Sequence, residues 1–132
     1  VTVNILAHNN DLPGVREYLH ELKELKPDGL IIADPAIFML AKEICPEIER
    51  HISTQANNTN YGTYKFWHKL GATRVVTARE LSLAEIKEIA ENNKHSVLCF
   101  TAFEGDSIEV NNEPIAVILQ KINECEMNDE RI

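Results

Sequence analysis

His51-Ile52-Ser53-Thr54-Gln55-Ala56-Asn57-Asn58-Thr59-Asn60 decides how this chain is read. A β-forming lead-in passes into a polar run with hardly a charge, and Tyr61-Gly62-Thr63 then opens a helical pattern. Ser, Thr, Gln and Asn at the end of a buried strand offer donors and acceptors without the desolvation cost of ions. Such a run suits a neutral polar ligand, or a hydrogen-bond network that closes one end of a sheet. It lies near the middle of the sequence, between two αβ units on each side.

Working outward, strand-like runs occupy residues 1–7, 30–33, 48–53, 74–78 and 97–101. The first is nearly continuously apolar, as in a strand covered on both faces. Helical patterns fill the gaps. One follows Asp11 as N-cap, with Pro13 in its first turn and Leu12, Val15, Leu19 and Leu22 on one stripe; residues 26–29 stop it. Asp34-Pro35 caps a second, with Ile37, Leu40, Ala41 and Ile44 inward and Cys45-Pro46 closing it. The third turns Tyr64, Trp67 and Leu70 inward and Lys65, His68 and Lys69 outward, with Gly71 at C′. Ser82 and Glu85 form a capping box for the fourth, stapled by Leu81 and Ile86. Beyond residue 101 the rhythm changes: Glu104-Gly105-Asp106 turns, Ile108-Glu109-Val110 is a short strand candidate, and Asn111-Asn112 turns again. A last helix spans about 114–125, and 127–132 frays.

Strands that alternate with helices imply a parallel sheet with right-handed crossovers. The expected fold is α/β: a mainly parallel five-stranded sheet with flanking helices. Its form is either a partial TIM-barrel-like slice or a flavodoxin-like three-layer stack. Ligands on such sheets bind at the C-terminal strand ends. Those ends here are His8-Asn9-Asn10, Asp34, Ser53-Thr54-Gln55 and Arg79-Glu80, converging on one rim.

At 132 residues the chain is a single domain large enough to bury a core. It has no run of eighteen apolar residues and no basic region leading into an apolar core, so neither a membrane span nor a secretory signal is expected. The absence of an initiating Met reads as a slice of a longer protein. Cys45, Cys99 and Cys125 are odd in number and never in C-x-x-C spacing. They read as reduced thiols of a cytoplasmic protein rather than as a metal site or disulfide framework. The formal charge of −8, from 21 acidic and 13 basic side chains, disfavours non-specific nucleic-acid binding by this segment alone.

Four blocks taken together resemble one family: Val1-Thr2-Val3-Asn4-Ile5-Leu6, Gly29-Leu30-Ile31-Ile32-Ala33-Asp34-Pro35, the polar run 51–60, and Gly71-Ala72-Thr73-Arg74-Val75-Val76-Thr77-Ala78-Arg79-Glu80-Leu81-Ser82. In order and spacing they are similar to the collagenase-like peptidase family U32, over residues 1 to about 93. The resemblance implies a TIM-barrel-like catalytic domain and a peptidase label. It also implies relatives that hydroxylate RNA or quinones, some holding iron–sulfur clusters through cysteines. Two departures stand out. About two βα units that precede the Val1 equivalent in the family are absent, and the family's His-Gly strand end and Cys-rich segment are replaced by Ser96-Val97-Leu98-Cys99-Phe100-Thr101-Ala102-Phe103. The cluster ligands therefore do not carry over, no cofactor is expected, and residues 94–132 are a divergent end.

A peptidase needs a nucleophile with its base, or a metal with an activated water. No G-x-S-x-G or H-E-x-x-H occurs. Ser53 qualifies as a nucleophile only if His8 or His51 reaches it, so no catalytic set is assigned. The expected ligand rim is Asp34, Ser53, Gln55, Asn57, Arg79 and Glu80, holding a small polar or anionic molecule with Arg79 as a bidentate donor for a carboxylate. The competing reading is a non-catalytic αβ module whose rim residues serve packing, with Asp34 simply a cap. Either way the chain alone is expected to be inactive, and open sheet edges invite self-association.

Overall fold

The computed structural model describes residues 1–93, 98–101 and 107–110, with only the backbone of the last two segments and of Leu83. The helix expected at about 114–125 and the turns at 104–106 and 111–112 lie outside the described residues. Strands β1 (Thr2–Val3), β2 (Gly29–Ile32), β3 (Glu49–Ile52), β4 (Arg74–Val76), β5 (Leu98–Thr101) and β6 (Ser107–Val110) form one sheet in sequential order. The first five run parallel, and β6 is antiparallel to β5. Sequential order is that of a barrel slice; the flavodoxin-like alternative would place β1 between β2 and β3. The sheet thus exceeds the expected five strands by one, supplied by the short run around Ile108.

Four helices fill the crossovers: α1 (Leu12–Leu25), α2 (Pro35–Ile44), α3 (Tyr61–Leu70) and α4 (Leu83–Asn92). Alternate strand residues, Leu30, Ile32, Ile52 and Val75, share one core cluster with Leu19, Ile37, Phe38, Tyr64, Trp67 and Ile89 from all four helices. Their neighbours Ile31, His51, Arg74 and Val76 on the other face are only half-buried. One face is therefore packed by helices while the other stays partly open, as the inner wall of an unclosed barrel is.

Each helix ends as its residues dictate. Asp34 caps α2, Asn60 caps α3, and Gly71 closes α3 at φ 105°, a left-handed conformation that costs glycine little. Asp11 departs from expectation. Its carboxylate turns back to accept from the His8 N–H at 2.8 Å, so it secures a 3-10 turn, Asn9–Asp11, instead of capping α1. The first strand is also shorter than expected. Among the described residues it pairs with β2 alone, and Ile5 and Leu6 are 52% and 73% exposed, so apolar content there does not produce two covered faces.

At the N-terminal end of the sheet, Arg50 is 8% exposed. Its guanidinium donates to the carbonyls of Pro46 and Ile48, each at 3.2 Å, and of Gly71 at 3.4 Å, and lies 5.6 Å from the Phe38 ring centroid. Carbonyl dipoles and a ring face thus solvate a cation that no carboxylate pairs among the described residues. The fork pins the loop entering β3 to the one entering β4.

The Ser82–Glu85 box forms as expected: Glu85 accepts from the Ser82 N–H at 2.8 Å, and the Glu85 N–H donates to the Ser82 hydroxyl at 3.3 Å. Ser82→Ala should lower stability by about 0.5–2 kcal/mol in denaturant titration at neutral pH. The Ser82 backbone and side-chain bonds hold the Glu85 carboxyl below its ordinary value. A lowered carboxyl stabilises above its unfolded value and loses that contribution as pH falls through the folded one, so the Ser82→Ala decrement should shrink in acid.

Candidate functional site at the C-terminal strand ends

Ile32 pairs with Ile52, and Ile52 with Val75, so the chain leaves β2, β3 and β4 at one height. The segment beyond each strand is stitched to its neighbour. Between the exits of β1 and β2 stands Asp34. Its Oδ2 accepts from the Ala7 N–H at 3.2 Å, and its Oδ1 from Ala36 at 2.7 Å and Ile37 at 3.2 Å. Three backbone donors occupy this carboxylate, so Asp34 performs the capping duty read as its alternative role.

Between β2 and β3, the Ser53 N–H donates to the Ile32 carbonyl at 2.8 Å. The Ser53 hydroxyl is buried and accepts from the Gln55 N–H at 3.3 Å, opening a 3-10 turn, Thr54–Ala56. Asn57 ends that turn at φ 55°, the left-handed region that asparagine tolerates better than most residues.

The joint between β3 and β4 is Asn58, wholly buried. Its Nδ2 donates to the Ser53 carbonyl at 2.8 Å and to the Val76 carbonyl at 2.7 Å. Its own carbonyl accepts from the Tyr64 hydroxyl at 3.3 Å and the Ala78 N–H at 3.1 Å. Its Oδ1 has no partner among the described residues. Asn58 was not among the rim residues expected from sequence. The Asn57-Asn58 doublet signals a turn, but which asparagine is buried depends on the β4 carbonyl that only the fold brings near.

The six expected rim residues therefore divide. Asp34 and Ser53 face inward and hold backbone, while Gln55, Asn57, Arg79 and Glu80 are exposed. The salt bridges among the described residues, Arg16–Glu43 and His51–Glu49, include none of the six. Arg79 and Glu80 follow Ala78 directly, so the Asn58–Ala78 bond carries them beside the 53–60 loop.

The Ser53–His51 nucleophile pairing finds no support. His51 Nε2 lies 2.9 Å from Glu49 Oε2, and the Ser53 hydroxyl is committed to Gln55. That hydrogen bond from His51 is the main reason the Glu49 carboxyl sits below its ordinary value, with Arg74 and Thr73 adding to it. Gly29 makes room for the imidazole, since a Cβ there would meet the ring at 3.0 Å. Nor do the described residues suit a metal cluster: no group of three His, Cys, Asp or Glu comes together among them. Cys45 is buried at the end of α2, where burial, then Glu47, raises its thiol above the ordinary value. No helix among the described residues is long and apolar enough to cross a membrane.

The model of peptidase family U32 matches residues 1–102 of this chain. The chain belongs to that family. Its relatives carry names of both kinds: an uncharacterized protease of Methanocaldococcus jannaschii is 41% identical over 91 residues, covering 69% of this chain and 22% of that protein, and others are named for RNA hydroxylation. The tRNA hydroxylation protein P of Haemophilus influenzae is 46% identical over 91 residues, covering 69% of this chain and 20% of that protein. Its Escherichia coli counterpart is 48% identical over 89 residues, 67% of this chain and 20% of that protein. The 23S rRNA 5-hydroxycytidine C2501 synthase of Escherichia coli is 32% identical over 112 residues, 80% of this chain and 16% of that protein. This U32 chain spans about one fifth of the length of the two tRNA hydroxylation proteins. No solved structure gives a significant match.

Removing the Asn58 joint tests its role. Asn58→Ala strands the carbonyls of Ser53 and Val76 and should cost about 2–6 kcal/mol, at about 1–3 kcal/mol for each. Asn58→Asp keeps the shape but sets an acceptor against two acceptors, so it should be worse than alanine at neutral pH. Burial and those carbonyls raise the carboxyl's folded pKa, so its penalty falls as pH drops through that value and the acid becomes a donor. Denaturant midpoints of both variants at pH 7 and pH 4 read the difference.

Proposed function

We propose that this chain is the rim-bearing slice of a U32 barrel whose activity is hydroxylation of RNA, and that its part is to hold the target base. The observation that carries this reading is the 46–48% identity to tRNA hydroxylation proteins across the segment that builds the rim. The rim chemistry supports it. Gln55 and Asn57 present free, neutral carboxamides at the strand ends, and carboxamides pair in two-pronged fashion with base edges exposed in single strands. Arg79 beside them suits an anionic group, a phosphate or a carboxylate. Asp34 and Ser53 act from behind, fixing the loops that carry these side chains. Peptide hydrolysis fits less well, because the serine at the rim is buried and serves as a cap. On this reading the chain by itself turns nothing over.

A segment exchange tests the proposal. In Escherichia coli lacking its own tRNA hydroxylation protein P, a chimera carrying this chain's matching segment should restore tRNA nucleosides with one added oxygen, read by mass spectrometry. Gln55→Ala with Asn57→Ala in the chimera should lower that product roughly tenfold or more, since one two-pronged base contact accounts for about 1–3 kcal/mol. Full activity of the double variant, or a chimera that folds and yields no hydroxylated nucleoside, would sink the reading.

A further inference from the structure

The net charge of −8 is unevenly spread. Residues 94–132 hold eight acidic and three basic side chains, whereas residues 1–93 hold thirteen and ten. Within the latter, α1 carries Glu17, Glu21 and Glu24, α2 carries Glu43, and α4 carries Glu85, Glu88 and Glu91. Of these four helices α3 alone has no acidic residue. Its inward side, Tyr64 and Trp67, is buried; its outward side shows Tyr61, Lys65, Phe66, His68 and Lys69.

That outward side is costly as it stands. Lys65 and Lys69 are four apart on one helix face, a like-charge spacing that destabilises a helix. Phe66 is 53% exposed and Tyr61 43%. The aromatic groups are held in place: Phe66 packs edge-on against Trp67 with centroids 5.1 Å apart, and Lys65 Nζ lies 5.2 Å from the Tyr61 ring centroid. Lys42, from α2, donates to the Leu70 carbonyl at 2.8 Å and adds a third ammonium at the far end of the helix. Lysines interleaved with fixed, exposed rings match single-stranded nucleic acid, with ammonium groups for the phosphates and ring faces for the bases. The face is also continuous with the rim, because Asn60, the last residue of the polar run, is the N-cap of α3. From there the helix runs about 15 Å away from the strand ends.

We propose that the outer face of α3, formed by Tyr61, Lys65, Phe66, His68 and Lys69, binds single-stranded RNA and carries the strand that flanks a base held at the rim. This rests on the RNA reading of the family but concerns a different surface, so the two fail separately.

The test is direct binding of this chain to a fluorescein-labelled, mixed-sequence single-stranded RNA of about twelve nucleotides, by anisotropy over a salt series. Lys65→Ala with Lys69→Ala should weaken binding about tenfold or more and reduce the log–log salt slope by about 1.4, at about 0.7 for each phosphate no longer neutralised. Phe66→Leu, which keeps an apolar contact for Trp67, should weaken binding about fivefold or more and leave the slope unchanged. Lys23→Ala on α1 with Lys87→Ala on α4, both exposed positions, should change nothing. Melting curves of the α3 variants that match the wild type establish that they fold. Wild-type affinity in the α3 lysine variant, no RNA binding by the wild type, or tighter binding to polyglutamate or to anionic lipid vesicles than to RNA would each overturn the proposal. A working chimera together with unaltered RNA affinity in the α3 variants removes this face alone. A silent chimera together with the expected losses removes the hydroxylation reading alone.

Discussion

One carboxamide sets the shape of the rim. Asn58 has two N–H donors, and both are spent on backbone carbonyls, Ser53 on its own loop and Val76 at the end of β4. A side chain that bridges two strands beyond the last ladder pair does what another strand residue would do, without requiring the chain to stay extended. The loop is therefore free to turn through Thr54–Ala56 and still be fixed in place. The Asn58 carbonyl completes the joint by accepting from Ala78 and from Tyr64, so a single buried residue aligns β3, β4 and α3. Because the donors are neutral, burial imposes no ionic desolvation, and the full strength of each bond in a low-dielectric interior is retained.

The same device, with other chemistry, recurs along the sheet. Asp34 binds the β1 exit to α2, and the Ser53 N–H binds the β3 exit to the last carbonyl of β2. Each joint consumes the polar atoms that a sequence reading would offer to a ligand. The residues left over are the ones beside the joints: Gln55 and Asn57 flank the buried residues of the loop, and Arg79 and Glu80 follow Ala78. A rim of this kind separates support from presentation by a single residue step.

That separation explains what was legible in advance. Parallel order, four helices and their caps follow from period and capping chemistry, which act within a few residues. Asp34, Asn60, Ser82 and Gly71 behave as local rules require. Asp11 does not, because His8 offers an equally local donor and wins the carboxylate. β1 is shorter than its apolar run because hydrophobicity alone does not say which residues find a ladder partner. The division of the rim was illegible for the same reason that Asn58 was missed. Ser53, Asn57 and Asn58 are alike in type, and only a carbonyl eighteen residues away, at Val76, decides which of them is buried.

The two ends of the sheet deal with buried polar atoms in opposite ways, and this bears on what each can recognise. At the N-terminal end a charge is brought inside: Arg50 donates to three carbonyls at once through its terminal nitrogens, while its Nε has no partner among the described residues. At the C-terminal end the Asp34 carboxylate is spent on three backbone N–H groups, and within the 53–60 loop amides and hydroxyls do the inner work, so Arg79 and Glu80 are the exposed charges beside that loop. A neutral site can read the donor and acceptor pattern of an uncharged base edge without charge overriding it. Affinity for a polyanion must then come from elsewhere, and the acid-free side of α3 starts at the next residue along the chain. In nucleic-acid complexes phosphate contacts position the strand and base contacts specify it. Under the RNA reading the neutral loop and the lysine-bearing helix divide those two tasks, and Asn58, bonded to the first and touching the second through Tyr64, fixes the distance between them.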